Sequence, residues 1–142
     1  MVLVDTSIWS LSLRRRAVDL SPDELQLTRS LYELVRQGRV QLLGSIRQEV
    51  LCGIREESQF RRIRDHLHDF PDAETVIEDF EEAARGSNLC RQVGVATSPV
   101  DMLMCALALR HDWEIFTTDR DFVPYRNVLR IRLFAVPQHP PS

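Results

Sequence analysis

Three short apolar runs constrain this chain more than any other feature: Val2-Leu3-Val4, Val40 to Leu43, and Ile115-Phe116-Thr117. Runs of this length and composition read as strands covered on both faces, the pattern of a parallel sheet. Ile131 to Val136 reads as a final strand, while Phe70 to Glu74 reads either as a further short strand or as loop. Helical spacing fills the gaps. Ser21-Pro22-Asp23-Glu24 starts a helix with an N-cap serine, proline at the first helical position and a glutamate completing a capping box. Leu27, Leu31, Leu34 and Val35 continue it, and Gly38 ends it. Ser45 is expected to cap a helix through Glu49 and Leu51, and an arginine-rich helix is expected from Ser58 to Asp69. Thr75 with Glu78 suggests a second capping box, with Val76, Phe80, Ala83 and Ala84 on one face of the helix that follows. Ser98-Pro99-Val100-Asp101 opens a helix that is apolar nearly all round until Arg110, and therefore buried. Strands alternating with helices imply an α/β fold with a central, mostly parallel sheet.

A chain of 142 residues suits one domain, expected over residues 1–136, with residues 137–142 as a loosely attached tail. Its apolar stretches, such as Met102 to Leu109, fall far short of a membrane span. The start carries no basic segment or cleavage site of a signal peptide, so a cytoplasmic location and no membrane association are expected. Cys52, Cys90 and Cys105 form no CxxC pair and read as reduced core cysteines. His66 and His68 sit on a charged helix and read as exposed, with no Cys or His cluster to make a zinc site.

The net charge of -3 excludes a generally basic nucleic-acid binder. All 18 basic residues are arginine. The absence of lysine excludes P-loop phosphate binding and Schiff-base chemistry, while arginine remains suited to phosphate.

Ligands of open α/β sheets sit beyond the carboxyl ends of the strands. Asp5 and Asp119 each follow a strand pattern, Asp101 lies in the first turn of a buried helix, and Glu49 lies early in another. Taken singly, each has a structural role available: Asp5 as a helix cap, Asp101 within the Ser98 box, Glu49 as a solvated charge, Asp119 and Asp121 as turn formers. Converging, they are a different matter. Two carboxylates ~5 Å apart repel by roughly 3 kcal/mol at an effective dielectric of about 20. Several in one cleft require protons or a cation, and an all-oxygen set selects Mg²⁺ or Mn²⁺. Such a site suits metal-assisted phosphodiester hydrolysis.

Val4-Asp5-Thr6-Ser7, Gln48-Glu49-Val50-Leu51-Cys52-Gly53, Ser98-Pro99-Val100-Asp101 with Ala106 and Ala108, and Thr117-Thr118-Asp119-Arg120-Asp121-Phe122 together resemble the PIN domain. They follow that family's order and spacing, and within it the chain is most similar to VapC-type toxins of bacterial toxin–antitoxin pairs. The resemblance implies a Mg²⁺- or Mn²⁺-dependent endoribonuclease acting on RNA. It implies Asp5, Asp101 and Asp119 as metal ligands, with Glu49 positioning the attacking water. Thr6, Ser7 and Thr117 would orient carboxylates or phosphate, and Asp121 competes with Asp119 for the fourth acidic place. It also implies a homodimer and a cognate antitoxin as protein partner.

Arg14, Arg15 and Arg16, close in sequence to Asp5, are candidates for RNA-backbone contact, whereas Arg61, Arg62 and Arg64 read as a solvated face. Trp9 and Trp113 read as core or interface. A receiver-type phosphoacceptor site needs a lysine, and a haloacid-dehalogenase-type site needs an acid at position 7, which is serine. A structure-specific DNA nuclease needs extra gripping segments. The remaining alternative is a catalytically inactive RNA- or protein-binding module with this fold.

Overall fold

Strand β1 (Val2–Val4) is fully buried and pairs on both sides within a four-stranded sheet. Its neighbours are β2 (Val40–Gln41) and β3 (Glu114–Phe116), with β4 (Arg132–Leu133) beyond β3. All pairings are parallel, in the order β2-β1-β3-β4. This computed structural model describes residues 1–137, so all of the expected tail but Pro137 lies outside the described residues. No helix among them is long and apolar enough to cross a membrane.

β2 and β4 are shorter than their apolar runs. β3 offers only three residues, so β4 pairs at Arg132 and Leu133, and Phe134 donates once more to the Ile115 carbonyl before the chain departs. Beyond β2, Leu42 makes a single parallel bridge to Asp72. The segment from Phe70 to Glu74 thus contributes a bridge rather than a strand.

Seven α-helices join the strands among the described residues: α1 (Thr6–Leu13), α2 (Pro22–Arg36), α3 (Gly44–Leu51), α4 (Glu57–Leu67), α5 (Ile77–Gln92), α6 (Pro99–His111) and α7 (Phe122–Leu129). The start of α2 is as the sequence predicts: Ser21 accepts from the Glu24 N–H, and the Glu24 carboxylate accepts from the Ser21 N–H. Gly38, at φ +67, follows the helix in the left-handed region where a side chain is strained. In α6, Ser98 caps the Asp101 N–H, and every residue from Met102 to Ala108 is buried.

Two helix starts differ from expectation. α3 begins at Gly44, with Leu43 and not Ser45 at the N-cap. A Cβ on Gly44 would lie 3.0 Å from the Asp72 Oδ2, so an acid remote in sequence occupies the space a local cap would use. α5 begins one residue later than a Thr75 cap requires, and Asp79, not Glu78, reaches back to the Val76 N–H. Asp79 is 1% exposed and also receives two bonds from Arg110 of α6, at 2.7 and 2.9 Å. That pairing sets the rotation of α5: Gly86 and Cys90 face inward, and Phe80 is 56% exposed. Cys52, expected in the core, is exposed beyond α3, whereas Cys90 and Cys105 are buried. Trp9 is buried against Phe70, and Trp113 stacks on His111 at the edge of the core.

The Arg110 guanidinium holds the Asp79 carboxyl below the usual carboxylate range. Its stabilising effect is present above the unfolded value near 4 and is lost as pH falls through the lowered one. Asp79→Ala leaves Arg110 and the Val76 N–H without their acceptor. A loss of about 2–4 kcal/mol in urea unfolding at pH 7 is expected, shrinking toward acid pH.

Candidate metal centre

The sheet order places a switch point between β1 and β3: the chain leaves β1 toward β2, then crosses back to β3 on the other side. The crevice beyond the carboxyl ends of these two strands is the expected ligand site. Asp5 closes β1 there and its N–H donates to the Phe116 carbonyl at 2.9 Å. It occupies the N-cap position of α1, yet its carboxylate caps nothing. Instead Oδ2 accepts from Ser7 Oγ at 3.0 Å and from Thr117 Oγ1 at 2.7 Å. Each hydroxyl has one proton, so the 3.4 Å approach of Ser7 to Thr117 is a contact rather than a third bond. Both donors fall on one oxygen, which leaves Asp5 Oδ1 without a protein donor among the described residues.

The same hydroxyls carry the network into the next loop. Ser7 Oγ accepts from the Thr118 N–H at 3.1 Å, and Thr117 Oγ1 from the Asp119 N–H at 2.9 Å. The Asp119 carboxylate then accepts from the Asp121 N–H at 2.9 Å. One oxygen from each of Asp101, Asp119 and Asp121 lies within 4.8 Å of the other two. Asp101 is half-buried and pushed up to about 6, first by burial and then by the charges of Asp5 and Asp119, against the opposing pull of Ser98 and Tyr125. Glu49 is exposed on α3, where Thr6 Oγ1 donates to its Oε2 at 2.7 Å.

The structure therefore gathers Asp101, Asp119 and Asp121, places Asp5 outside that oxygen group but near enough for its charge to act on Asp101, and sets Glu49 beside α1 through Thr6. Several acids elsewhere meet arginines, among them Asp72, Asp79 and Asp112. Among the described residues, none of the five acids of this cleft has an ion-pair partner. A divalent cation fits this donor set, which is all oxygen. Oxygens sharing one Mg²⁺ are at most about 4.2 Å apart. Small rotations of the exposed Asp119 and Asp121 would bring the three into that range.

Arg14, Arg15 and Arg16 lie at the far end of α1, about 12 Å of helix from Asp5. Arg15 is tied to Glu24 and to the Asp19 carbonyl. Arg62 donates to the Leu13 carbonyl at 3.4 Å, which joins the second arginine cluster to the first. Sequence reasoning missed α7 and with it Tyr125, whose buried hydroxyl reaches Asp101 at 3.3 Å.

The family model of the PIN domain matches residues 2–127 of the chain. No curated protein matches it. The solved structures that share its fold include two that match it over nearly their whole length. One is VapBC2 from Rickettsia felis bound to a DNA fragment from their promoter, 13% identical with a TM-score of 0.70, over 94% of this chain and 98% of that one. The other is FitAcB from Neisseria gonorrhoeae, 16% identical with a TM-score of 0.67, over 95% of this chain and 97% of that one.

The raised value of Asp101 has a thermodynamic consequence. The folded chain holds this proton more tightly than the unfolded chain, whose aspartates titrate near 4. Stability from this group is therefore greatest below about 4 and falls as pH rises to about 6. The cost above that range is on the order of 2–3 kcal/mol. Asp101→Asn should melt several degrees above the wild type at pH 7.5 in chelator, with the gap closing by pH 4. Millimolar Mn²⁺ should raise the wild-type melting temperature and leave that of the variant nearly unmoved. Equal melting of both proteins at pH 7.5 in chelator would count against charge crowding.

Proposed function

The chain belongs to the PIN domain family, and from that premise we propose that it is a Mg²⁺- or Mn²⁺-dependent endoribonuclease, the toxin of a toxin–antitoxin pair. PIN domains are in general nucleases. The observation that carries the reading is the unpaired acidic cleft, in which Asp101 is pushed to about 6 beside Asp5, Asp119 and Asp121.

Asp101 and Asp119 are the proposed holders of the ion, with Asp5 Oδ1 as the third protein oxygen and Asp121 completing the set by direct or water-mediated contact. When bound, a divalent cation supplies charge neutralisation and Lewis-acid stabilisation at the scissile phosphate. Ser7 and Thr117 fix the Asp5 carboxylate through Oδ2, so Oδ1 keeps one direction. Thr6 occupies Glu49 Oε2, and Oε1 is left to orient water and accept its proton for in-line attack. Exposed arginines at the end of α1, Arg14 and Arg16, together with Arg62, would contact RNA phosphates beyond the cleft. Arg15, held by Glu24, would contribute less.

The partners proposed with this reading are an RNA substrate, a cognate antitoxin protein and a second copy of the chain in a homodimer, all in the cytoplasm. The likeness in fold to VapBC2 and FitAcB supports the toxin assignment.

Purified protein should cleave total RNA in Mg²⁺ or Mn²⁺ and stop when a chelator is added. Asp101→Ala and Asp5→Ala should each lower the cleavage rate on the order of 10²–10³-fold while the protein remains folded. Growth arrest on expression should disappear with the same variants. Cleavage that survives the chelator, or RNA binding without any cleavage, overturns the proposal, and the second result favours an inactive binding module.

A further inference from the structure

Tyr125 is the one buried polar side chain that touches the acidic cleft from α7. It is 1% exposed, and its ring meets Phe122 edge-on at 5.2 Å, so its orientation is set by the core. Its hydroxyl lies 3.2 Å from the Ala96 carbonyl and 3.3 Å from Asp101 Oδ2. A carbonyl only accepts, so the single phenolic proton has two competing acceptors.

That competition has a consistent solution for either form of Asp101. With Asp101 ionised, the phenol donates to Oδ2, and a bond to a carboxylate is the stronger choice. With Asp101 protonated, its own O–H donates to the phenolic oxygen while the phenol donates to Ala96. Oδ2 is engaged in both cases. One oxygen of the Asp101 carboxylate lies within 4.8 Å of an oxygen of Asp119 and of Asp121, so holding Oδ2 fixes how this carboxylate meets the acids of the following loop. Ser98 Oγ accepts from the Asp101 N–H at 3.2 Å and so holds its backbone.

We infer that Tyr125 is a positioning residue: its hydroxyl holds Asp101 Oδ2 and so fixes the orientation in which that carboxylate meets a divalent cation. A structural role is the competing account, in which the hydroxyl merely ties α7 to the loop at Ala96. The inference rests on the reading of the cleft as a metal site, and it does not require that the substrate be RNA.

Tyr125→Phe keeps the ring and deletes the clamp. Calorimetric or EPR titration with Mn²⁺ at pH 8, where Asp101 is ionised, is the direct test. Affinity should fall about 10-fold relative to the wild type, the lower end of the range seen when groups supporting metal ligands are removed. Asp101→Asn should bind Mn²⁺ more weakly still, and adding Tyr125→Phe to it should weaken binding no further. If the protein cleaves RNA, kcat should fall in step with a KM for RNA that does not move. Equal Mn²⁺ affinity in Tyr125→Phe and wild type, whatever the change in melting temperature, overturns the clamp. So does an equal loss in the Asp101→Asn background, or a wild type that binds no Mn²⁺ at millimolar concentration. If Mn²⁺ binding weakens as expected but neither protein cuts RNA, the clamp stands and the ribonuclease reading fails.

Discussion

The parallel pairing of β1 with β3 is the constraint on which the rest depends. Its register sets Val2 against Glu114 and Val4 against Phe116, so the two strands end together. Asp5 and Thr117, each the first residue past its strand, then meet at the same edge at 2.7 Å. A shift of one residue would move Thr117 by about 3.3 Å and turn its side chain to the other face. The Asp5 carboxylate would lose its shortest hydrogen bond, and the loop carrying Asp119 and Asp121 would lose its anchor on Thr117. Three strand residues with no exposure thereby decide where Asp5, Asp119 and Asp121 sit.

Much of this was legible in the sequence because it depends on local chemistry. Strand ends at Asp5 and Thr117, the Ser21–Glu24 box, the Ser98 cap and the all-apolar stretch of α6 are written within a few residues of where they act. What was not legible depends on partners far along the chain. The start of α5 follows from Arg110 meeting Asp79, thirty-one positions apart, and no local pattern distinguishes Asp79 from Glu78. The start of α3 follows from Asp72 lying against Gly44. α7 went unread because Pro124 falls inside it and suggests a break. It stands in the first turn, where the missing N–H has no helical partner to lose.

The site residues were legible as a set of acids at strand and helix ends, but not as a division of labour. Asp5 and Asp101 are anchored on buried elements and held by hydroxyls from Ser7, Thr117 and Tyr125. Asp119, Asp121 and Glu49 are exposed; the first two are attached by local bonds, and Glu49 by one bond from Thr6 on α1. The sequence made Asp119 and Asp121 alternatives for one place. The geometry brings both to Asp101, because Asp119 turns the chain by accepting from the Asp121 N–H and so carries its neighbour with it.

This division explains how the fold tolerates its own charge. Repulsion among exposed acids is weakened by water and by side-chain motion, so Asp119 and Asp121 can stand close at small cost. Asp101 has neither relief: it is half-buried, fixed at its backbone by Ser98 and at its carboxylate by Tyr125. Burial first, and then the charges of Asp5 and Asp119, make this the side chain that holds its proton to about 6. A group in that condition gains most from a nearby cation, because the same ion both displaces the proton and compensates the charge left behind. The rigidity that makes Asp101 costly in the empty protein is also what would make it an oriented ligand.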